Sequence, residues 1–185
     1  AYLDYEQADL QGRAAIFANP FDRRGHELRI AVALAQNRAG DAVLLNDTYR
    51  LYFQNDPRAL KLLGDARILE GNPDLAFNAY SDAATAALNT AGRNEDAAAA
   101  LVARSALLMA EGEGGMALLD LNAAYEALPD VAIRAKRMDA AYVAGDYALA
   151  LEDATALVGS GALPDDVFYL MQARVRYDLA AGDSE

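Results

Sequence analysis

Residues 57–84 read PRALKLLGDARILEGNPDLAFNAYSDAA, and this stretch predicts two helices joined by a tight turn. The turn lies at residues 71–74, GNPD. Its glycine can take a positive φ at the end of one helix, and the polar residue after it can cap the start of the next. Ala76, Tyr80 and Ala83 follow that glycine at offsets of five, nine and twelve residues, which places them on one face of the second helix.

The same pattern recurs along the chain. A glycine followed by an acidic or polar residue occurs at intervals of 31, 41, 33 and 37 residues, close to the period of about 34 of one class of helical-hairpin repeat. These glycines are Gly40, Gly71, Gly112, Gly145 and Gly182. Apolar residues follow at the same three offsets, at Leu45, Tyr49 and Tyr52, at Ala117, Leu121 and Ala124, and at Ala150, Ala154 and Leu157. Copies that stay in phase predict a repeated helix pair.

Two segments carry the residues of a known repeat family. The segments are Leu63-Gly64 with Gly71, Ala76, Tyr80 and Ala83, and Gly145-Asp146-Tyr147 with Ala150. They resemble the tetratricopeptide repeat, and the resemblance spans nearly the whole chain. It implies an all-α fold, a right-handed solenoid of antiparallel helix pairs with about 9–11 helices. Arg137 departs from the family pattern, which has leucine at that position.

The resemblance also implies a single repeat domain over residues 1–185. Its expected parts are a partial unit at 1–22, units at about 26–57, 58–97, 98–130 and 131–164, and a partial unit at 165–185. The polar stretch 89–96 supplies the extra residues of the longest interval. Half-units at both ends suggest a piece of a longer repeat protein, although the odd helices could themselves be solenoid caps.

Composition excludes some partners. Lys and Arg number 16 against 28 for Asp and Glu, so the net charge is −12, which disfavours nucleic acid and other phosphate ligands. No apolar run approaches the length of about 18 residues that predicts a membrane span. Cysteine is absent, which fits both a bacterial periplasm and a cytoplasm and leaves the compartment open.

No arrangement of residues predicts catalysis, a metal site or a cofactor. His26 is the only histidine, and we expect it at the surface in the link at residues 23–26. Residues 112–115 are rich in glycine but lack the Lys-Ser/Thr of a phosphate loop, so they are interpreted as a turn between helices. Glu152-Asp153 is expected on a solvated helix face. The chain is predicted not to be an enzyme.

The tetratricopeptide resemblance implies a concave groove lined by the first helix of each pair. The lining residues it implies are Ile30, Leu34 and Asn37, then Lys61, Asp65 and Ile68, then Val102, Ala106 and Met109, then Asp139 and Tyr142, and finally Tyr169, Gln172 and Arg176. This largely apolar surface suits an extended or helical peptide. An equally open alternative is that Ile68 and Met109 merely pack between helices.

The predicted function is a protein-interaction scaffold that binds a peptide or partner protein in this groove. The alternative is a repeat region of a larger bacterial secretion or envelope assembly, such as a polysaccharide-export protein. A groove that clamps a peptide carboxylate is disfavoured, because Asp65 occupies one of the positions that the clamp needs for a basic or amide side chain.

Overall fold

The computed structural model describes residues 4–182, which form ten α-helices and no strand. The helices are α1 Tyr5–Ala18, α2 Arg23–Ala35, α3 Ala39–Tyr52, α4 Pro57–Leu69, α5 Pro73–Leu88, α6 Asn94–Ala110, α7 Gly114–Ala127, α8 Val131–Val143, α9 Tyr147–Gly159 and α10 Asp165–Gly182. The predicted all-α fold of helix pairs is therefore confirmed. No helix in the described range is both long and apolar enough to cross a membrane.

Contacts within the chain divide it into two compact units, Ala1–Ala100 and Leu101–Glu185, and the boundary falls inside α6. The first unit contains α1 to α5, and the second contains α7 to α10. The longest interval between turn glycines is accommodated by the turn at 89–93 and by α6, which has 17 residues. This is the place where the sequence predicts the extra residues.

Each helix pair turns on one residue with a positive φ. Gly71, Gly112 and Gly145 have φ values of 78°, 81° and 79°, as the sequence predicts. The prediction for the first pair is wrong: the residue with a positive φ, 58°, is Asn37, and Gly40 lies in the first turn of α3. Asparagine can fill this position because its short polar side chain tolerates the left-handed region better than most.

Because the turn residue is Asn37 and not Gly40, the buried face of α3 lies three positions earlier than the sequence predicts. Counted from Asn37, the offsets of five, nine and twelve fall on Ala42, Asn46 and Tyr49, and none of the three is exposed to solvent. Asn46 is tolerated in this core because its amide nitrogen donates a 2.6 Å hydrogen bond to the carbonyl of Ala59. The same offsets in the other pairs are also buried.

The core is built from close backbone approaches as well as from large side chains. Gly64 of α4 faces the ring of Tyr80 in α5, and a Cβ at Gly64 would lie only 2.3 Å from Tyr80 Cε1. Glycine is thus required where the tyrosine ring packs against the backbone of the opposing helix. The Tyr80 hydroxyl donates a 2.9 Å hydrogen bond to Asp65, which keeps the polar end of the ring satisfied.

Two helix pairs place an ion pair in their interior. Arg104 of α6 makes two hydrogen bonds to Asp120 of α7, at 2.8 and 2.6 Å, and Arg137 of α8 makes the same two bonds to Asp153 of α9. In both pairs the arginine lies eight residues before the turn glycine and the aspartate eight residues after it. Asp153 is only 2% exposed, so its expected place on a solvated face is wrong.

His26 also differs from expectation. It lies in the first turns of α2, is 3% exposed, and stacks on the ring of Tyr49 with 5.2 Å between ring centroids. Its Nε2 lies 2.9 Å from the carbonyl oxygen of Pro20. The histidine therefore helps to close the turn between α1 and α2 onto the core of the first unit.

The turn at Asn37 can be tested by two alanine substitutions. We expect Asn37→Ala to destabilise the protein by about 1 kcal/mol, because alanine is strained at positive φ. Gly40→Ala should stabilise it by roughly 0.5 kcal/mol, since Gly40 is helical and a Cβ there meets nothing within 4 Å. Urea unfolding measures both changes. Destabilisation by Gly40→Ala with no effect of Asn37→Ala would instead show that the pair turns at Gly40.

The ion pair of the last complete helix pair can be tested by removing one or both of its charges. Asp153→Ala should destabilise the protein by about 3 kcal/mol, because it leaves the Arg137 guanidinium without its carboxylate. The double variant Arg137→Leu/Asp153→Ala should recover most of this loss, since the equivalent positions in α4 and α5 hold Leu63 and Ala79. Equal instability of the single and double variants in urea unfolding would contradict this account.

Candidate functional site

The candidate site is a cavity of about 600 Å³ in the second unit, between α8 and α10. Its lining residues are Asp139, Tyr142 and Val143 from α8 and Val167, Leu170, Met171, Ala173 and Arg174 from α10. We call it the α8–α10 cavity. Most of its wall is apolar, and three of its aliphatic side chains remain open to solvent: Val143 is 51% exposed, Val167 38% and Leu170 69%.

The rotation of α10 decides which of its residues line this cavity. Phe168 and Met171 pack against the buried cluster of Met138, Ala154 and Leu157, and Val175 is also buried. These contacts turn one side of α10 toward the core. Because successive residues are separated by about 100°, Val167, Leu170 and Arg174 then lie together along one edge of that buried stripe.

Asp139 brings an unpaired negative charge to the α8–α10 cavity. Within the described part of the chain its carboxylate has no hydrogen bond and no cation within 4.0 Å. Neighbouring atoms desolvate part of the Asp139 carboxyl and raise its pKa, although the residue as a whole is exposed to solvent. The positive charge of Lys136 opposes this rise without cancelling it.

Arg174 of α10 brings a positive charge to the lining, next to Tyr142 of α8. The Arg174 guanidinium carbon lies 5.1 Å from the centroid of the Tyr142 ring, a distance typical of a cation–π contact. The Tyr142 hydroxyl donates a hydrogen bond to Asp178, which raises the pKa of the tyrosine. Arg174 itself has no carboxylate within 4.0 Å among the residues that the structure describes.

A smaller cavity of about 340 Å³ lies in the first unit, between α2, α4 and α6. Its lining residues are Glu27, Ala31, Pro57, Arg58, Lys61, Leu62, Asp96 and Ala99. We call it the α2–α4 cavity.

The charged side chains of the α2–α4 cavity are paired with one another or with near neighbours. Arg58 bonds Asp96 at 2.7 Å and lies 3.8 Å from Glu27, while Lys61 bonds Asp65 at 2.8 Å. Burial raises the pKa of Asp96, but the hydrogen bonds from Arg58 and Arg93 outweigh this and leave the pKa lowered. A charged ligand would have to displace these partners, so the α8–α10 cavity is the better candidate.

The structure brings only some of the predicted groove residues together. Asp139 and Tyr142 meet in the α8–α10 cavity, and Lys61 lines the α2–α4 cavity. Asp65 lies beside Lys61 but is held by Tyr80. The other residues of the predicted lining belong to neither: Ile68, Ala106, Tyr169 and Arg176 are exposed, and Leu34, Val102, Met109 and Gln172 are half-buried.

The register error in the first pair affects two residues of the predicted lining. Ile30 is fully buried in the core cluster with Ala33, Ala42 and Tyr49, so it cannot contact a partner. Asn37 is the turn residue. Counting from Asn37 instead of Gly40 moves the lining from Ile30 and Leu34 to Glu27 and Ala31, which do line the α2–α4 cavity.

On α10, Leu170 and Arg174 line the cavity in place of the predicted Tyr169 and Arg176. Tyr169 and Arg176 lie on the other side of the buried stripe that Phe168, Met171 and Val175 form. The repeat motif holds no signal that could have corrected this, because Gly182 is still helical and the turn predicted after it lies outside the described residues.

No group of three His, Cys, Asp or Glu side chains between residues 4 and 182 is arranged to hold a metal ion.

Comparisons with known proteins find likeness in structure but not in sequence. No protein-family model matches the chain, and no curated protein matches it. TTC0263, a thermophilic tetratricopeptide repeat protein of Thermus thermophilus, aligns with a TM-score of 0.65 at 16% identity, over 95% of this chain and 91% of that one. MamA aligns with a TM-score of 0.60 at 17% identity, over 84% and 86%.

A third similar structure is that of Naa15/Naa10 bound to HypK-THB, with a TM-score of 0.53 at 16% identity. It is matched over 86% of this chain but only 23% of the other. These likenesses confirm that the chain has the tetratricopeptide-like fold that the sequence resemblance implies.

The pairing of Asp96 predicts how acid affects stability. Because its folded-state pKa is lowered, its contribution is present above the unfolded pKa of about 3.9 and is lost as pH falls through the folded pKa. Asp96→Asn should therefore lose less stability than the wild type between about pH 5 and pH 3. Unfolding curves recorded across this range measure the difference, and parallel losses would contradict the prediction.

Proposed function

We propose that this chain is a protein-interaction scaffold that holds an extended or helical peptide in the α8–α10 cavity. The observation that carries the proposal is the apolar wall that Val143, Val167 and Leu170 leave open to solvent. Clustered exposed apolar side chains on a protein surface are typical of interaction sites. Asp139 and Arg174 at the same cavity would give a bound segment a fixed orientation.

The dimensions of the cavity suit a peptide better than a single small group. A volume of about 600 Å³ lies in the middle of the range of roughly 300–1,000 Å³ of ligand pockets. Burying one large apolar side chain contributes about 1.5–3 kcal/mol, so several anchors are needed for micromolar affinity once ordering costs are included. A peptide can supply such anchors on one helical face or on alternate residues of an extended strand.

One of the similar structures, that of Naa15/Naa10 bound to HypK-THB, supports a protein as the partner. The alternative predicted from the sequence, a repeat region of a secretion or envelope assembly, gains no support from the geometry of either cavity. It stays a prediction, and so does the absence of enzymatic activity.

The proposal is tested with peptides selected from a random phage-displayed library on the immobilised protein. Affinities of the selected peptides are then measured by fluorescence anisotropy. Leu170→Glu should weaken binding at least about tenfold, because it removes a leucine-sized apolar contact and adds a charge to the wall.

The matched control is Tyr169→Glu. Tyr169 is the neighbouring residue on the same helix and is 65% exposed, but it does not line the cavity. This variant should bind as the wild type does. If no peptide is enriched, or if both glutamate variants bind equally well, the proposed function is overturned.

A further inference from the structure

Asp139 is the acidic residue of the α8–α10 lining, and its carboxylate makes no hydrogen bond or ion pair within the described part of the chain. The hydroxyl of the neighbouring Tyr142 bonds Asp178, and its ring contacts Arg174. The other residues that line the cavity are apolar apart from Arg174. A carboxylate beside an apolar wall is stabilised when a cation joins it, because few other groups there compensate its charge. Because Asp139 is exposed to solvent, its carboxylate is accessible to a cation that a partner brings.

The charges around Asp139 do not already supply this cation. Lys136 lies on the same helix, three residues earlier, and its ammonium is not within 4.0 Å of the Asp139 carboxylate. Arg174, on the facing helix, stacks on the Tyr142 ring and makes no ion pair with Asp139. Asp178 accepts the hydrogen bond of Tyr142, and it adds negative rather than positive charge to this side.

We propose that the α8–α10 cavity selects segments in which a lysine or arginine reaches Asp139 while a large apolar residue, one helical turn away, packs against Val167 and Leu170. This rests on the proposed function, because it assumes that the cavity holds a peptide. The combination follows from the lining itself, where one unpaired carboxylate adjoins an open apolar wall.

The overall charge of the chain favours the same class of partner. With a net charge of −12, the protein attracts basic segments and repels acidic ones before contact, an effect that weakens as salt is added. Arg174 adds one positive charge to this side of the cavity, whereas Asp139 and Asp178 add two negative charges. An acidic segment would meet Asp139 and Asp178 as well as Arg174.

The test repeats the library selection on four proteins: wild type, Asp139→Asn, Asp139→Lys and Glu126→Lys. Glu126 is an exposed residue of α7 that does not line the cavity, so Glu126→Lys changes the net charge as Asp139→Lys does. Wild type and Glu126→Lys should enrich a basic residue three or four positions from a large apolar one. Asp139→Asn should lose the basic preference, and Asp139→Lys should replace it with an acidic one.

A double-mutant cycle then measures the contact directly. In one peptide selected on the wild type, the consensus basic residue is replaced by glutamine, and both peptides are titrated against wild type and Asp139→Asn. The glutamine peptide should bind the wild-type protein about tenfold more weakly than the basic peptide does. The two peptides should bind Asp139→Asn with equal affinity. Circular dichroism confirms that the nearly isosteric Asp139→Asn is folded.

The two proposals fail in different ways. Peptides that depend on Leu170 but show no coupling to Asp139, or that carry an acidic consensus on the wild type, overturn the basic-segment inference alone. Selection that enriches no peptide, or peptides whose binding ignores Leu170→Glu, overturns the proposed function and this inference with it.

Discussion

The left-handed backbone of one residue in each helix pair is the constraint from which the rest of the packing follows. Asn37, Gly71, Gly112 and Gly145 take φ values between 58° and 81° where the first helix ends. Since each further residue rotates by about 100°, the position of this residue determines which side chains of the next helix face inward. The offsets of five, nine and twelve are consequently buried in every complete pair, even where one of them is Asn46.

The same constraint places two further positions opposite each other, eight residues before and eight after the turn. In α4 and α5 these positions hold Leu63 and Ala79, whereas in α8 and α9 they hold Arg137 and Asp153. A hydrophobic pair fills the space between the helices but does not fix their alignment. The two hydrogen bonds of the arginine fork fill the space and also hold the helices in one alignment. Arg137 and Asp153 therefore replace a leucine and an alanine together, as one ion pair.

The candidate site follows from the packing of α10 on this framework. Phe168, Met171 and Val175 bury one side of the helix, so Leu170 faces the cavity beside α8. The arrangement leaves Asp139 next to an apolar wall without a partner of its own. In the α2–α4 cavity the opposite holds, because its charged groups already neutralise one another.

The helix pairs could be predicted from the sequence alone, because helix periodicity and turn glycines are local properties, and Gly71, Gly112 and Gly145 mark their turns directly. The first pair could not be placed correctly, since Asn37 and Gly40 are both compatible with a turn until the packing of α3 selects one. Burial of Asp153 and exposure of Leu170 were likewise beyond the sequence. Each depends on the side that a helix turns toward residues distant in the chain, and only the tertiary contacts decide that rotation.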